Sequence, residues 1–181
     1  MVVEPFRGAP HTVQLIKDCA LRAQHYYPLR QLAEDIIGRI GSKDYLSEIL
    51  AIYYWVLAHT RYANDPRTVE LVRSPADYLA RLQRNVDQLR GQTHGTWKPS
   101  LDCDDLACLL VALFLIIGRE VRICTVAFRN AFFGGQRQYQ HVYVQVREPR
   151  TNHWIVLDPV AADTTPQMLR RIKAIKFWAV A

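Results

Sequence analysis

Apolar residues recur at intervals of three and four through the first half of the chain, and this spacing predicts amphipathic helices. The four predicted helices are His11–Tyr26, Leu29–Ile40, Asp44–Tyr62 and a helix from Ser74 to about Leu89. Pro28 separates the first two, Gly41 stops the second, and Asp65-Pro66 breaks the third. Before the fourth, Ser74-Pro75-Ala76-Asp77 supplies a capping hydroxyl, a proline at the first helical position and an acid at the third.

A fifth segment, Leu106–Ile117, is apolar on every side and predicts a helix that is buried all round. It is too short for a bilayer, which needs about twenty residues, so no membrane span is expected. Gly118 ends this helix, and the pattern then changes to that of strands. Three strands rich in β-branched and aromatic residues are predicted at Val121–Phe128, Tyr139–Arg147 and Trp154–Val160. A helical half followed by an antiparallel sheet is typical of the α+β fold class.

The length of 181 residues fits one domain, and we place it at residues 11–166. Residues 1–10 are predicted to be an N-terminal tail, and residues 167–181 a basic C-terminal segment. The apolar residues of this segment suit a helix from Met168 to Ile175 or an added strand over Ala174–Val180, and the pattern leaves both open.

Composition and charge narrow the functional classes. Half of the residues are hydrophobic and 22% are charged, which excludes a disordered chain. Four of the net +6 charges lie in the last twelve residues, so the body is nearly neutral and nucleic-acid binding is not expected. Residues 1–10 hold no apolar run of the kind a signal peptide needs, which predicts a cytoplasmic protein. In that reducing compartment Cys19, Cys103, Cys108 and Cys124 are expected to be free thiols.

One of these thiols lies at the start of the buried helix. Asp102 is a plausible N-cap, with Asp105 three residues later, so Cys103 falls in the first helical turn. The helix dipole favours a thiolate there, whereas the neighbouring carboxylates, including Asp104, raise the pKa of the thiol. A cationic partner is therefore needed before Cys103 can act as a nucleophile. The other three cysteines lie in apolar segments and are predicted to be small core residues.

Strand register supplies such a partner. With a four-residue turn at Pro149–Asn152, Glu148 pairs with His153, and Tyr143 then lies opposite Asp158. His141, two residues before Tyr143, shares a sheet face with Asp158, and only an even slip in register preserves this parity. A carboxylate that orients an imidazole near a thiol is the Cys-His-Asp arrangement of a nucleophilic enzyme.

Five motifs occur in order along the chain: Asp102-Cys103-Asp104-Asp105, the apolar helix ending at Gly118, Val121-Arg122, His141-Val142-Tyr143-Val144 and Trp154-Ile155-Val156-Leu157-Asp158-Pro159. Together they resemble the transglutaminase-like superfamily. Upstream, Ala51–Val56 and Arg61-Tyr62 before Asp65-Pro66 are similar to the helix and loop that precede the nucleophile in these proteins. The resemblance extends roughly from Arg30 to Val160.

The resemblance implies a papain-like α+β fold in which a central helix bearing the nucleophile packs on an antiparallel sheet. It implies that Cys103 is the nucleophile, that His141 is the general base and acid, and that Asp158 orients the histidine. No metal or cofactor is implied. Family members include cysteine peptidases, amidases, acyl-transferring cross-linkers and inactive structural copies, so the expected substrate is a peptide or protein.

Compact stand-alone members with Asp-Cys-Asp-Asp are similar to proteins that tailed bacteriophages encode among their virion genes. The resemblance therefore also implies a virion-associated location. Two main functions stay open at this point. One is a cysteine hydrolase or acyltransferase that acts on peptide or carboxamide bonds, with hydrolysis as the default direction, and the other is a virion structural or assembly protein with a vestigial site. A weaker third alternative is a nucleic-acid contact made by the basic C-terminal segment.

Three further features complete the candidate site. Acyl transfer needs donors for the oxyanion, and the backbone N–H of Cys103 is one by position. Family members take the second from an upstream side chain, for which Tyr62 and Trp97 are candidates and Tyr62 is favoured. Phe132 and Phe133 lie in a long loop that is either a substrate-contact lid or a hairpin folded back on the core. The basic C-terminal segment is either a solvated charge run or a docking segment for other virion proteins.

Overall fold

The computed structural model describes residues 2–5, 8–63, 69–89, 98–130, 132–133, 135–160 and 171–180. Its helices are α1 (Ala9–Ala23), α2 (Tyr27–Ile37), α3 (Tyr45–His59), α4 (Pro75–Leu89) and α5 (Cys103–Ile116). Its strands are β1 (Val2–Pro5), β2 (Arg61–Tyr62), β3 (Val69–Val72), β4 (Ser100–Leu101), β5 (Val121–Ala127), β6 (Phe132–Phe133), β7 (Gln136–Arg137), β8 (His141–Arg147), β9 (Trp154–Leu157) and β10 (Ala174–Ala179). The predicted α+β fold class is confirmed.

Side-chain caps fix the starts of two helices that position the site. The Ser74 hydroxyl accepts from the backbone N–H of Asp77 at 3.2 Å and donates to the Asp77 carboxylate, which begins α4. The Asp102 carboxylate accepts from the backbone N–H of Asp105 at 3.1 Å, which begins α5 at Cys103. Both caps are those that the sequence predicts, because a short polar side chain satisfies an N–H that the helix itself leaves unpaired.

The predicted end of the third helix is wrong. It was expected to continue through Tyr62, but α3 ends at His59. Thr60 turns to an extended conformation, and its backbone N–H and its hydroxyl both donate to the carbonyl of Val56, at 3.0 and 2.8 Å, which closes the last turn of the helix. The chain then pairs as β2, parallel to β4, which places Tyr62 beside Leu101.

Helix α5 is the centre of the core. Every residue from Asp104 to Phe114 is buried, as the continuous apolar run predicts. Gly118 ends the helix with φ at +68°, a conformation that favours glycine. Its N–H donates to the carbonyl of Leu115, and the N–H of Arg119 donates to that of Phe114, so the last turn closes and the chain enters β5.

The main sheet is antiparallel, with the strand order β10-β5-β8-β9. In the C-terminal segment the strand alternative holds for Ala174–Ala179, which pairs with β5 as the edge strand β10, while residues 168–170 of the helical alternative lie outside the described residues. The sheet face that packs with α5 in the hydrophobic core carries Ile123, Val142, Val144, Val146 and Leu157. The active-site strands β8 and β9 therefore lie against the helix that carries Cys103.

Two further pairings complete the described fold. Strand β1 lies within the predicted N-terminal tail and pairs antiparallel with β3. Strands β6 and β7 form a short antiparallel hairpin in the loop between β5 and β8. Among the described residues no helix is both long enough and apolar enough to cross a bilayer.

Candidate active site

Cys103 is the first residue of α5, at the edge of the core. Its thiol donates to the Asp104 carboxylate at 3.5 Å, and the backbone N–H of Val142 in β8 donates to its sulfur. The start of α5 and the start of β8 are thus in contact at the sulfur atom of Cys103. This contact depends on the packing of α5 against β8. The same packing forms the centre of the core.

The surroundings of Cys103 oppose its ionisation. Burial raises the pKa of the Cys103 thiol well above its usual range, and the charges of Asp104 and Asp102 raise it further. The N–H of Val142 acts in the opposite direction, because it stabilises the thiolate. Cys103 therefore needs a base to take its proton when it reacts near neutral pH.

His141 and Asp158 form a buried pair. The Nε2 atom of His141 lies 2.7 Å from Oδ2 of Asp158, and both side chains are less than one-tenth exposed. The register places Val144 opposite Leu157 and Arg147 opposite Trp154, which is the predicted register, and it is confirmed. With Nε2 directed at Asp158, Nδ1 is the ring nitrogen left for another partner.

Two contacts hold Asp158 in place. Its Oδ1 accepts from the backbone N–H of Val160 at 3.1 Å, and its backbone carbonyl accepts from the hydroxyl of Tyr53 at 2.9 Å. Tyr53 lies on α3, so that helix anchors the end of β9 directly. Sequence reasoning missed this role of Tyr53. A tyrosine hydroxyl at a helix position that faces the core needs a polar partner, and this is the one signal that the sequence offers.

Cys103 and His141 line the same cavity, which has a volume of about 160 Å³. The rest of its wall comes from the first turns of α1 and α5, from β5, from the two residues before β8 and from β8 itself: Ala9, Thr12, Val13, Asp104, Thr125, Tyr139, Gln140 and Val142. Sequence reasoning missed the contribution of α1, because the cavity brings together residues of α1 and Cys103, about ninety positions apart, and no local pattern predicts such a contact. The structure thus brings the predicted thiol and imidazole to one cleft.

The other predicted site residues lie in different places. Tyr62 is 41% exposed, burial and the neighbouring acidic groups raise its pKa, and β2 places it opposite Leu101, two residues before Cys103. Trp97 lies outside the described residues. Phe132 is exposed under the guanidinium of Arg137, and it is not part of the cavity wall given above. For Phe133 the structure describes only the backbone, in β6.

The acid at the third position of α5 has a partner that the sequence did not predict. Asp105 is 2% exposed and accepts from both the backbone N–H and the guanidinium of Arg73, just after β3. This ion pair ties the segment between β3 and α4 to the start of the nucleophile helix. It also gives a cationic partner to a carboxylate that is buried close to the thiol.

The order of the sequence motifs around Cys103, His141 and Asp158 can be compared with that of known families. The sequence pattern of the transglutaminase-like superfamily matches residues 30–159, well over half of the chain. The chain belongs to the transglutaminase-like superfamily. The matched range includes Cys103, His141 and Asp158 of this transglutaminase-like domain. No curated protein matches the chain significantly.

Two solved structures are similar to this transglutaminase-like chain. One is a candidate cysteine protease from Cytophaga hutchinsonii, at 18% identity and a TM-score of 0.48, covering 84% of this chain and 46% of that chain. The other is a candidate protease from Parabacteroides distasonis, at 13% identity and a TM-score of 0.51, covering 80% of this chain and 26% of that chain. The chain spans less than half the length of either, and the second likeness supports the fold alone.

The charge of Asp104 gives a testable pH effect. Replacing Asp104 by asparagine removes a carboxylate that raises the pKa of Cys103, so the pKa should fall and the thiolate fraction near neutral pH should rise. Alkylation of Cys103 by iodoacetamide should become several-fold faster at neutral pH, with the whole pH profile displaced to lower pH. Glu120→Gln, a remote and exposed change, should leave the profile unmoved. A profile that moves to higher pH in Asp104→Asn would contradict this electrostatic account.

Proposed function

We propose that this transglutaminase-like chain is a cysteine hydrolase or acyltransferase that acts on peptide or carboxamide bonds through Cys103, His141 and Asp158. The observation that carries the proposal is the bond of 2.7 Å between His141 Nε2 and Asp158 Oδ2, since His141 shares a cavity with Cys103. A carboxylate on one nitrogen fixes the tautomer and the orientation of the ring, so the other nitrogen is available as a base.

The chemistry assigned to each group follows from its position. Nδ1 of His141 accepts the proton of Cys103, and the sulfur attacks the substrate carbonyl to give a tetrahedral intermediate. His141 then returns the proton to the leaving amine, and a thioester on Cys103 is formed. Water resolves the thioester in hydrolysis, which is the default direction, and a second amine resolves it in acyl transfer. Asp158 stabilises the imidazolium that exists between the two proton transfers.

The oxyanion of the tetrahedral intermediate needs two donors, and we assign them to the backbone N–H of Cys103 and the hydroxyl of Tyr62. The first lies at the start of α5, where the helix leaves its N–H groups unpaired. The second is supported by the pairing of β2 with β4, which sets Tyr62 opposite Leu101, two residues before the nucleophile.

Replacing Tyr62 by phenylalanine should slow acylation of Cys103 by p-nitrophenyl acetate about a hundredfold, because one oxyanion donor is lost. Alkylation by iodoacetamide passes through no oxyanion, so its rate should be unchanged in the same variant. Comparing the two rates separates a donor from a residue that merely shapes the cleft. Equal losses in both reactions, or no loss in either, would remove Tyr62 from the assigned site.

The proposal is tested by trapping the acyl-enzyme. After a short exposure to p-nitrophenyl acetate at neutral pH, intact mass spectrometry should find a gain of about 42 Da, with the acetyl group on Cys103. Cys124→Ala, which removes a buried thiol elsewhere, should acylate like the wild type, and Cys103→Ala should not acylate. Acetylation spread over several cysteines or lysines, with none preferred, would count against an enzyme.

A second candidate function is a virion structural or assembly protein that uses the fold as an interaction module. The raised pKa of Cys103 favours it, because a thiol that stays protonated suits a vestigial site. In this case docking to other virion proteins would involve the C-terminal segment, whose strand β10 is a sheet edge with exposed Phe177. Assembly of particles that contain the chain, unaltered by Cys103→Ala, would support this function over catalysis.

A further inference from the structure

Two other thiols meet between α1 and α5. Cys19 lies on α1 and Cys108 on α5, and they are 4% and 0% exposed. The sulfur of Cys108 lies 3.7 Å from the carbonyl oxygen of Ile16, one helical turn before Cys19 on the same helix. The sulfur of Cys108 therefore packs against the helical turn that carries Cys19. Two cysteines that face each other in this way across packed helices are placed for a disulfide.

An arginine makes the two thiols unequal. Nη2 of Arg22 lies 3.7 Å from the sulfur of Cys19. Cys108 and then Arg22 lower the pKa of Cys19 to about 6, although burial opposes them. Cys19 and complete burial raise the pKa of Cys108 well above its usual range. Cys19 is therefore the thiolate of the pair near neutral pH, and Cys108 stays a thiol, whose S–H donates to the carbonyl of Ile16.

We infer that Cys19 and Cys108 are an oxidation site, at which a hydroperoxide converts the two thiols to a disulfide that joins α1 to α5. The thiolate of Cys19 attacks the peroxide oxygen, the O–O bond breaks, and hydroxide or alkoxide leaves to give a sulfenic acid on Cys19. The sulfur of Cys108 then attacks the Cys19 sulfur and expels water, its proton neutralising the leaving hydroxide. The two thiols are oxidised by two electrons in all, and the peroxide is reduced to water, or to an alcohol and water.

The position of this pair connects it to the cavity. Helix α5 carries Cys103 in its first turn, and the first turns of α1 contribute Thr12 and Val13 to the cavity wall. A disulfide between Cys19 and Cys108 would hold these two walls together. It would not involve Cys103, so the inference stands whether or not Cys103 is a nucleophile.

The test uses the full chain with Cys103→Ala, so that no thiol in the cleft reacts. A brief treatment with hydrogen peroxide should lower the intact mass by about 2 Da, the loss of two hydrogens. Proteolysis without reductant should then yield one linked pair of peptides, containing Cys19 and Cys108. Cys124 is the matched internal control, because it is buried and its pKa is raised to about 12, so it should stay reduced.

A surface variant tests the cause without disturbing the core. Arg22 is exposed, and Arg22→Gln should slow disulfide formation several-fold at about pH 6, where the thiolate fraction of Cys19 is most sensitive to its pKa. Dithiothreitol should restore the original mass in both proteins. Three results would overturn the inference: thiols that resist peroxide, oxidation of Cys124 at the same rate, or oxygen added to Cys19 without any linked peptide.

Discussion

Replacing Asp158 by alanine is expected to lower the rate at which p-nitrophenyl acetate acylates Cys103 by about a hundredfold or more. The variant removes the oxygen that lies 2.7 Å from Nε2 of His141. The imidazole then loses the partner that fixes its orientation and stabilises its protonated form. Stopped-flow measurement of p-nitrophenol release, with the acyl group located by mass spectrometry, gives the rate directly.

Asp158→Asn is the matched control for this prediction. An asparagine amide oxygen can still accept from Nε2, and Cys-His-Asn arrangements also support catalysis, so this variant should lose much less than Asp158→Ala. Thermal unfolding of both variants separates a loss of orientation from a loss of structure. An alanine variant that stays folded and acylates at the wild-type rate would show that Asp158 has no part in the reaction.

Replacing Asp105 by alanine is expected to lower the free energy of unfolding by about 3–5 kcal/mol. Asp105 is buried and accepts from the backbone and the guanidinium of Arg73, whose side chain is only 17% exposed. Removing the carboxylate leaves a partly buried cation without its partner at the start of α5. Urea unfolding should therefore report a lower midpoint with an unchanged slope.

The chain offers an exposed ion pair of the same chemistry as a control. Nη1 of Arg147 lies 2.9 Å from Oε2 of Glu120, and the two side chains are 41% and 56% exposed. Glu120→Ala should change the free energy of unfolding by less than about 1 kcal/mol, because water screens the pair. If Asp105→Ala were as mild as Glu120→Ala, the Arg73 pairing would not be what stabilises the start of the nucleophile helix.

Local chemistry explains why the pairing of β8 with β9 could be predicted. The turn at residues 149–152 ends at Asn152, whose φ of 60° is one that asparagine tolerates. The Glu148 carboxylate accepts from the backbone N–H groups of Arg150 and Thr151, and the backbone N–H of Glu148 donates to the backbone carbonyl of His153. A turn fixed by its own residues sets the register, and register sets which side chains share a face. The His141–Asp158 pair thus follows from a short stretch of sequence.

Contacts between distant segments could not be predicted in this way. The wall that α1 adds to the cavity, the anchoring of Asp158 by Tyr53 and the pairing of Asp105 with Arg73 each join residues far apart in sequence. Cys19 and Cys108 were likewise interpreted as separate core residues, because a period of three or four shows that a cysteine is buried but not what faces it. These features depend on how helices pack, which no single segment determines.

The C-terminal segment presents a different difficulty. The apolar positions in the segment 167–181 fit both a helical and a strand period, so the sequence alone left its conformation open. Pairing with β5 decides it for Ala174–Ala179, and the indole N–H of Trp178 donates to the hydroxyl of Thr125 at 3.0 Å. An edge strand gains its hydrogen bonds from its neighbour, so tertiary context overrides an ambiguous local preference.

The central claim, that Cys103 and His141 act as a thiol and its base, is tested most directly by the pH dependence of iodoacetamide alkylation. The modified cysteine is located by mass spectrometry in the wild type and in His141→Ala. The account predicts that Cys103 is alkylated near neutral pH and that the variant loses at least about tenfold of that rate. Alkylation of Cys103 at the same rate and with the same pH profile in both proteins would contradict it.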